Sequence, residues 1–327
     1  MISPNSTIPK YSNNLDNKEI TVSVLCLAYN HKGFIRQALE GFLMQQCSFL
    51  FEILVHDDAS TDGTSDIIRE YEQKYPGIIK PIYQAENQFS QKKINVTQLQ
   101  RNRAIGKYIA LCEGDDYWTD PNKLQKQVDF LEDNPGFAMC FHRSRIENHT
   151  DDYWKDQTFG HLREKEYTGW EILSQWTIPT ASVMYRTYLR EFIDSMARPK
   201  GILYTDILVY LTLAEHGRLY CLGDTMSVYR IHPYSMVHQR DDRRPMKYIT
   251  HLKTIQKMFG GKYKHATDDL IADRYLTLAV MDVKAGNWTS SPLHVYNAVK
   301  YDAMSPVKRL VSFMKNKWYK YQKRSKV

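Results

Sequence analysis

A chain of 327 residues with 43% hydrophobic and 13% aromatic content carries enough apolar side chain for one large domain or two modest ones, which excludes a disordered or fibrous protein. The net charge of +7 is unevenly placed: Lys308 to Val327 holds eight Lys or Arg and no acid, and removing those eight from the total of 44 leaves 36 basic residues against 37 acidic. A near-neutral body with its excess of cations confined to one end argues against a nucleic-acid binder.

The five cysteines, Cys26, Cys47, Cys112, Cys140 and Cys221, are widely spaced and contain no C-x-x-C pair. That pattern fits reduced thiols in a cytosol. Residues 1–19 are polar, without the apolar core of an export signal, and no window approaches the ~18 apolar residues of a membrane span. The expectation is a cytoplasmic protein, in which the N-x-S/T sequons at Asn95, Asn148 and Asn287 are chance matches.

In chain order, residues 20–29 form a β-branched and apolar run, the pattern of a strand buried on both faces of a parallel sheet. The turn Tyr29-Asn30-His31-Lys32-Gly33 follows, then a helical spacing of Phe34, Ala38 and Phe42. A second strand is expected over 51–55, closed by His56-Asp57-Asp58-Ala59-Ser60-Thr61-Asp62-Gly63-Thr64 and a helix carrying Ile67, Ile68 and Tyr71. A third strand falls near 78–83, and 84–103 is polar without a readable period. Strand, turn, helix in repetition is the grammar of parallel βαβ units.

The fourth strand, 108–112, ends in Glu113-Gly114-Asp115-Asp116-Tyr117-Trp118. Three carboxylates within four residues repel one another unless a cation, donors or water compensate. At the carboxyl end of a buried strand, where open α/β sheets bind ligands, they read as a metal and diphosphate site; a solvated acidic turn is the other reading. Thr119-Asp120-Pro121 is expected to cap a helix bearing Leu124, Val128 and Leu131 that stops near Asn134-Pro135-Gly136. Strands are expected at 137–142, at 179–186 and, as one or two, at 219–229. The stretch 151–166 reads as a charged connection, and an amphipathic helix over 204–215 opens with Thr205-Asp206. From Met246 the pattern is helical. A last helix over 307–321 sets Leu310, Val311, Phe313, Met314, Trp318 and Tyr319 among lysines, the profile of a membrane-surface helix.

These features in this order resemble the family 2 glycosyltransferases, nucleotide-sugar-dependent inverting enzymes of the GT-A fold. The resemblance spans roughly 20–232. Residues 22–30 are similar to the family's opening strand and nucleotide-binding turn, and 53–64 to its D-D-x-S-x-D-x-T segment. Ala104-Ile105-Gly106-Lys107-Tyr108-Ile109 is similar to the strand that leads into its D-x-D motif. The resemblance implies an α/β fold with a mixed, mostly parallel sheet flanked by helices. It divides the chain into a polar lead (1–19), a GT-A domain (20–245) and a helical C-terminal region (246–327) ending in the basic aromatic tail.

It also implies roles. Ala28, Tyr29 and Asn30 line the donor site, and Asp58 contacts the base or ribose. Asp115 is the metal ligand, and His232 completes the metal or diphosphate site. Glu113 and Gly114 lie on the donor side; Glu113 stands where the family has Asp and, one methylene longer, reaches the ribose or a metal-bound water. Asp206 takes the position of the catalytic base, with Thr205 in place of the usual Glu; the favourable charge of an Asp at a helix start also explains it. Apart from the resemblance, Asp116 and Trp118 are candidates on the acceptor side, where an aromatic face stacks on a sugar, with Trp118 equally readable as core; Arg101 and Arg103 are candidates for phosphate or base contacts or simply solvated cations, since the family's A-R-N spacing is not kept there. The expected cofactor is Mg²⁺ or Mn²⁺. The expected partners are a nucleotide sugar, a UDP-sugar foremost, a glycan or lipid-linked acceptor, and an anionic membrane surface gripped by the tail at the inner face of the cell membrane. The departures at Glu113 and Thr205 leave a catalytically inactive nucleotide-sugar-binding module as the alternative.

Overall fold

The computed structural model describes residues 19–91, 93–150, 159, 162–174, 178–196, 199–233 and 243–304. The polar lead, most of the connection 151–166 and the basic helix expected over 307–321 lie outside them. The chain divides into two compact units, one of residues 1–168, 177–196 and 209–239, the other of 169–176, 197–208 and 240–327.

The first unit is built on a sheet with nine strands among the described residues: β1 (Ile20–Ala28), β2 (Leu50–Asp57), β3 (Ile79–Tyr83), β4 (Tyr108–Leu111), β5 (Tyr117–Trp118), β6 (Phe137–Asn148), β7 (Lys165–Tyr167), β8 (Met184–Arg186) and β9 (Arg218–Ile231). They lie in the order β3-β2-β1-β4-β8-β6-β9-β5, with β7 also on β9. The section β3-β2-β1-β4 is parallel throughout. Beyond it β8 runs antiparallel to both β4 and β6, while β6 and β9 are parallel. From β1 the chain passes outward to β2 and β3 and then returns to β4 on the other side of β1. The gap between the carboxyl ends of β1 and β4 is therefore a topological switch point, where a crevice opens.

The central strands are legible because they are buried on both faces. Val22, Val24, Cys26 and Ala28 on one side of β1, and Ser23 and Leu25 on the other, are all buried. Helix α1 (Ile35–Leu43) covers the sheet with Ile35, Ala38, Leu39 and Phe42, each large side chain contributing roughly 1.5–3 kcal/mol by its burial. Helices α2 (Thr64–Lys74), α3 (Gln88–Gln91), α4 (Val96–Arg103) and α5 (Lys123–Asp133) follow. Among the charged groups buried in this layer is Glu52, accepting from Ser23 Oγ (2.7 Å), Lys80 Nζ (2.7 Å) and the Ile105 amide (3.2 Å). Three donors offset its desolvation. Gly106 lets the chain pass there, since a Cβ would meet the Ser23 nitrogen at 2.7 Å.

Three local expectations shift. Helix α5 starts at Lys123, because Asp120 and Pro121 form a preceding turn in which the Asp120 carboxylate accepts from the Asn122 amide (2.8 Å). Of 179–186 only β8 is a strand; Thr180–Ser182 is a 3-10 turn closed on the Pro179 carbonyl. Strand β6 continues six residues past His142.

The second unit comprises α6 (Gly169–Ser174), α9 (Arg244–Met258), α10 (Lys264–Lys284) and α11 (Ser291–Tyr301), while α7 (Arg190–Ser195) belongs to the first and α8 (Asp206–His216) is shared between them. Ile249, Leu252, Ile255, Ile271 and Leu276 are buried among these helices. Ser291, at the start of α11, donates to the Ala279 carbonyl of α10 (3.1 Å) and ties the two helices together. Among the described residues no helix is long and apolar enough to cross a membrane.

Candidate active site

Two turns meet at the switch point. The turn after β1 is fastened to the turn after β2 by a row of hydrogen bonds. The Asn30 amide donates to Ser60 Oγ (2.9 Å), the Thr61 amide to Asn30 Oδ1 (2.9 Å), the His31 amide to Thr64 Oγ1 (2.8 Å) and the Lys32 amide to Asp62 Oδ2 (2.9 Å). The polar residues of 57–64 thus splint the neighbouring loop. Asn30 takes a left-handed φ of 55°, which asparagine tolerates, and Ala59 one of 61°.

The acid cluster emerges from β4 and stays bonded to β1: the Cys112 amide donates to the Leu25 carbonyl (3.1 Å) and the Gly114 amide to the Leu27 carbonyl (2.8 Å). Gly114 fits only without a side chain, because a Cβ would lie 2.9 Å from Ile35 Cδ1 and 3.0 Å from His31 Nδ1. Asp115 is then presented with Oδ2 3.1 Å from His232 Nε2 and 3.9 Å from His31 Nε2. Burial pushes its carboxyl upward, but the hydrogen bond to His232 and the charges of His31 and His232 more than offset this and hold it below the usual range. Arg230 fixes the frame, its guanidinium donating to the Asp115 carbonyl (2.8 Å) and to Gln37, and its amide to Asp116 Oδ1 (2.8 Å). Arg230 and His232 lie two positions apart along an extended chain and so share a side.

The structure therefore brings Asp115, His232, Glu113, Gly114, Asn30 and the backbone of Ala28 to one place. Tyr29 is 45% exposed beside it. The Ala28 side chain is buried, and its carbonyl accepts from the Asp58 amide (2.9 Å). Asp58 accepts from the Gln88 and Phe89 amides (2.8 and 3.0 Å), so it also organises α3.

Two acceptor-side expectations need correction. Trp118 is 1% exposed, donates to the Ala181 carbonyl (2.9 Å), and carries Lys123 over its face at 3.9 Å. No face of it is open to a sugar. Asp116 is buried and occupied with the Arg230 amide; burial first, then the negative Asp115, drives its pKa well above the ordinary value. Arg101 and Arg103 are structural as well, the first paired with Asp194 (2.5 Å), the second donating to the Lys80 carbonyl (2.6 Å). Asp206 opens α8 half-buried and accepts from the Ile207 amide (2.8 Å). Burial raises its pKa, with that amide acting in the opposite direction. His31 and Arg230 are the residues of the candidate site that motif reading passed over; His31 stands in the quoted turn after the first strand and Arg230 two residues before His232, but neither has a spacing that announces it.

An open α/β sheet that sets a carboxylate and an imidazole at its switch point is the frame of a ligand-binding α/β enzyme. The chain belongs to glycosyl transferase family 2, which matches it over residues 23–196. An uncharacterised protein of Mycobacterium tuberculosis is 36% identical over 225 residues, 68% of this chain and 62% of that protein, so less than two thirds of the relative is spanned. Among solved structures, S. aureus TarS 1-349 in complex with UDP-GlcNAc superposes with a TM-score of 0.63 at 18% identity, over 86% of this chain and 80% of that one. The mannosyltransferase PcManGT from Pyrobaculum calidifontis, in complex with GDP-Man and Mn²⁺, gives 0.53 at 15% identity, over 89% and 88%. At such identities the likeness is one of fold, and the fold is GT-A.

Proposed function

We propose that this protein transfers a sugar from a nucleotide-diphosphate sugar to a hydroxyl of a glycan or lipid-linked acceptor, with inversion, in the biosynthesis of a surface polysaccharide or other glycan. The observation that carries this is the Asp115–His232 pair, 3.1 Å apart at the β1/β4 switch point. Its donor atoms suit a divalent cation: neighbouring ligands on an ion with bonds near 2.1 Å are about 3 Å apart. Mn²⁺ or Mg²⁺ held there supplies the positive charge that stabilises a diphosphate as it leaves.

The residues divide the remaining work. Asn30 and Tyr29 border the nucleotide, and Asp58, with lone pairs left beyond its two amide donors, selects the base or ribose. Glu113 serves the ribose or a water. Asp206 takes the proton from the acceptor hydroxyl; the freed oxygen forms a bond to the anomeric carbon as that carbon's bond to the diphosphate breaks, and the nucleoside diphosphate departs. A base whose pKa burial has raised is closer to the pH at which it works.

Incubation with a panel of UDP- and GDP-sugars, Mn²⁺ and glycan or polyprenyl-linked acceptors, followed by mass detection of product, tests the reading. Transfer by the wild type, with a loss on the order of a hundredfold or more in Asp115→Ala, is the expected result. Full transfer by that variant or in EDTA removes the metal. Donor binding without transfer to any acceptor turns the protein into the inactive binding module.

A further inference from the structure

His56 lies beneath the turn after β2, in the next-to-last position of that strand, and is 0% exposed. It shares a face of β2 with Glu52 and Leu54, and α4 packs on the strand, where Gln100 donates to the Leu54 carbonyl (2.7 Å) and Arg103 to Gln100 Oε1 (2.6 Å). Both ring nitrogens of His56 are buried without a hydrogen bond among the described residues. Nε2 faces the Asp58 carboxylate, 3.6 Å from Oδ1, an ion-pair distance too long for a hydrogen bond. A buried imidazole that completes neither of its bonds calls for a reason.

The ring is held neutral. Burial is the largest influence on it and lowers its pKa; the charge of Arg103 acts the same way, against the pull of Asp58 and Asp57. A neutral imidazole carries one N–H. On Nε2 that proton points at the carboxylate, whereas a lone pair there would face negative oxygens, so the charge of Asp58 selects the Nε2–H tautomer. Asp58 is held from its other side, Oδ1 accepting from the Gln88 amide (2.8 Å) and Oδ2 from the Phe89 amide (3.0 Å). A shift of about 0.6 Å brings Nε2 within the ~3 Å of a hydrogen bond to Oδ1.

The geometry points to His56 as a positioning residue for the nucleotide: its Nε2–H closes on Asp58 Oδ1 when a nucleoside diphosphate engages that carboxylate, and turns the remaining lone pairs toward the base or ribose. A bound nucleotide covers the carboxylate from water, and a hydrogen bond to a charged oxygen strengthens as its surroundings dry. The unliganded fold holds the two groups apart, so the bond contributes to binding and not to folding. The inference rests on the reading of Asp58 as the nucleotide's contact.

Calorimetric titration with UDP and GDP, donor kinetics and urea unfolding test it on wild type, His56→Leu and His56→Gln. Leucine fills the space without a donor, and glutamine offers an N–H near the place of Nε2. His56→Leu should weaken whichever nucleotide the wild type binds about tenfold or more and raise KM for the corresponding nucleotide sugar by a like factor, with kcat within about threefold. Its urea midpoint should equal or exceed that of the wild type, because an apolar side chain leaves no buried nitrogen unbonded. His56→Gln should recover most of the affinity. Nucleotide affinity in His56→Leu equal to that of the wild type would overturn the inference. So would a parallel loss of affinity and stability in His56→Leu, the mark of a residue that only packs, or a folded His56→Gln as weak as His56→Leu. A wild type that binds UDP or GDP, loses that affinity in His56→Leu and transfers no sugar supports the inference while the transferase reading fails. A wild type that binds neither nucleotide overturns both.

Discussion

Lys123 lies fully buried at the start of α5, its ammonium 3.9 Å over the Trp118 ring and 2.6 Å from Gln127 Oε1, with no carboxylate partner among the described residues. Burial pushes its pKa down to about 7, with Cys112, Cys140 and Cys47 as the nearest titratable neighbours. Folded, it is largely neutral above pH 7; unfolded, it holds its proton up to about 10.4, so between those values the unfolded chain binds more protons and stability rises with pH by up to ~1.4 kcal/mol per unit. Lys123→Met should raise the unfolding free energy at pH 7 by on the order of 2 kcal/mol and flatten this slope. Urea titrations of both proteins at pH 7, 8 and 9 measure it. The three thiols, which burial raises, act with opposite sign at alkaline pH, but they are common to both proteins and cancel in the difference. Equal slopes would place the charge elsewhere. At the same scale, Asp206→Asn keeps the shape of the side chain and removes its basicity. Turnover should fall about 10²–10⁴-fold with UDP affinity unchanged, and a variant with full turnover would remove Asp206 from the base role.

At the scale of elements, the splint between the β1 and β2 turns makes its own prediction. Asp62 accepts from the Lys32 amide (2.9 Å), the Thr64 amide (2.9 Å) and Thr64 Oγ1 (2.6 Å). Burial raises its pKa, but these donors outweigh it and hold the carboxyl below its usual range. Its stabilising effect is therefore complete above the unfolded pKa of about 3.9 and fades as pH falls through the lower folded value. Asp62→Ala should cost about 1–2 kcal/mol at pH 7 and, by loosening the turn that carries Asn30 and His31, lower kcat/KM about tenfold or more; chemical unfolding and steady-state rates report each. The sequence motif marked this segment as donor-binding, and its splinting work was invisible because hydrogen bonds between loops leave no period. The same reason hid α4. It packs inward through Gln100, which donates to the Leu54 carbonyl (2.7 Å), and Arg101, paired with Asp194, so 84–103 shows no apolar spacing. Strands β1, β2 and β4 were plain to read because burial on both faces writes them as unbroken apolar runs. The two-residue β5 is too short to write anything, and the three-residue β8 is legible only as part of a longer run, 179–186, whose first half turns instead.

For the whole molecule, the basic stretch 308–327 follows a helical unit with apolar surface of its own. Trp288 is 68% exposed just before α11, and Leu293 and Tyr296 on α11 are 58% and 66% exposed. Lysines and arginines near an anionic bilayer contribute about 1 kcal/mol each before screening, and exposed aromatic residues favour the lipid interface. If the tail meets an anionic lipid surface, eight such cations, even heavily discounted for salt and distance, would be ample for reversible attachment. Replacing all eight by Gln should weaken co-sedimentation with phosphatidylglycerol vesicles at least tenfold while transfer to a soluble acceptor is kept. Wild-type binding should weaken steeply as salt is raised, because the attraction is confined to a Debye length of about 10 Å at 0.1 M. Phosphatidylcholine vesicles should retain only a weak, salt-insensitive component, which Trp288→Ala and Tyr296→Ala would lower. Unchanged sedimentation of the Gln variant would show that the cations serve something other than a lipid surface, and the acceptor would then have no reason to be membrane-bound.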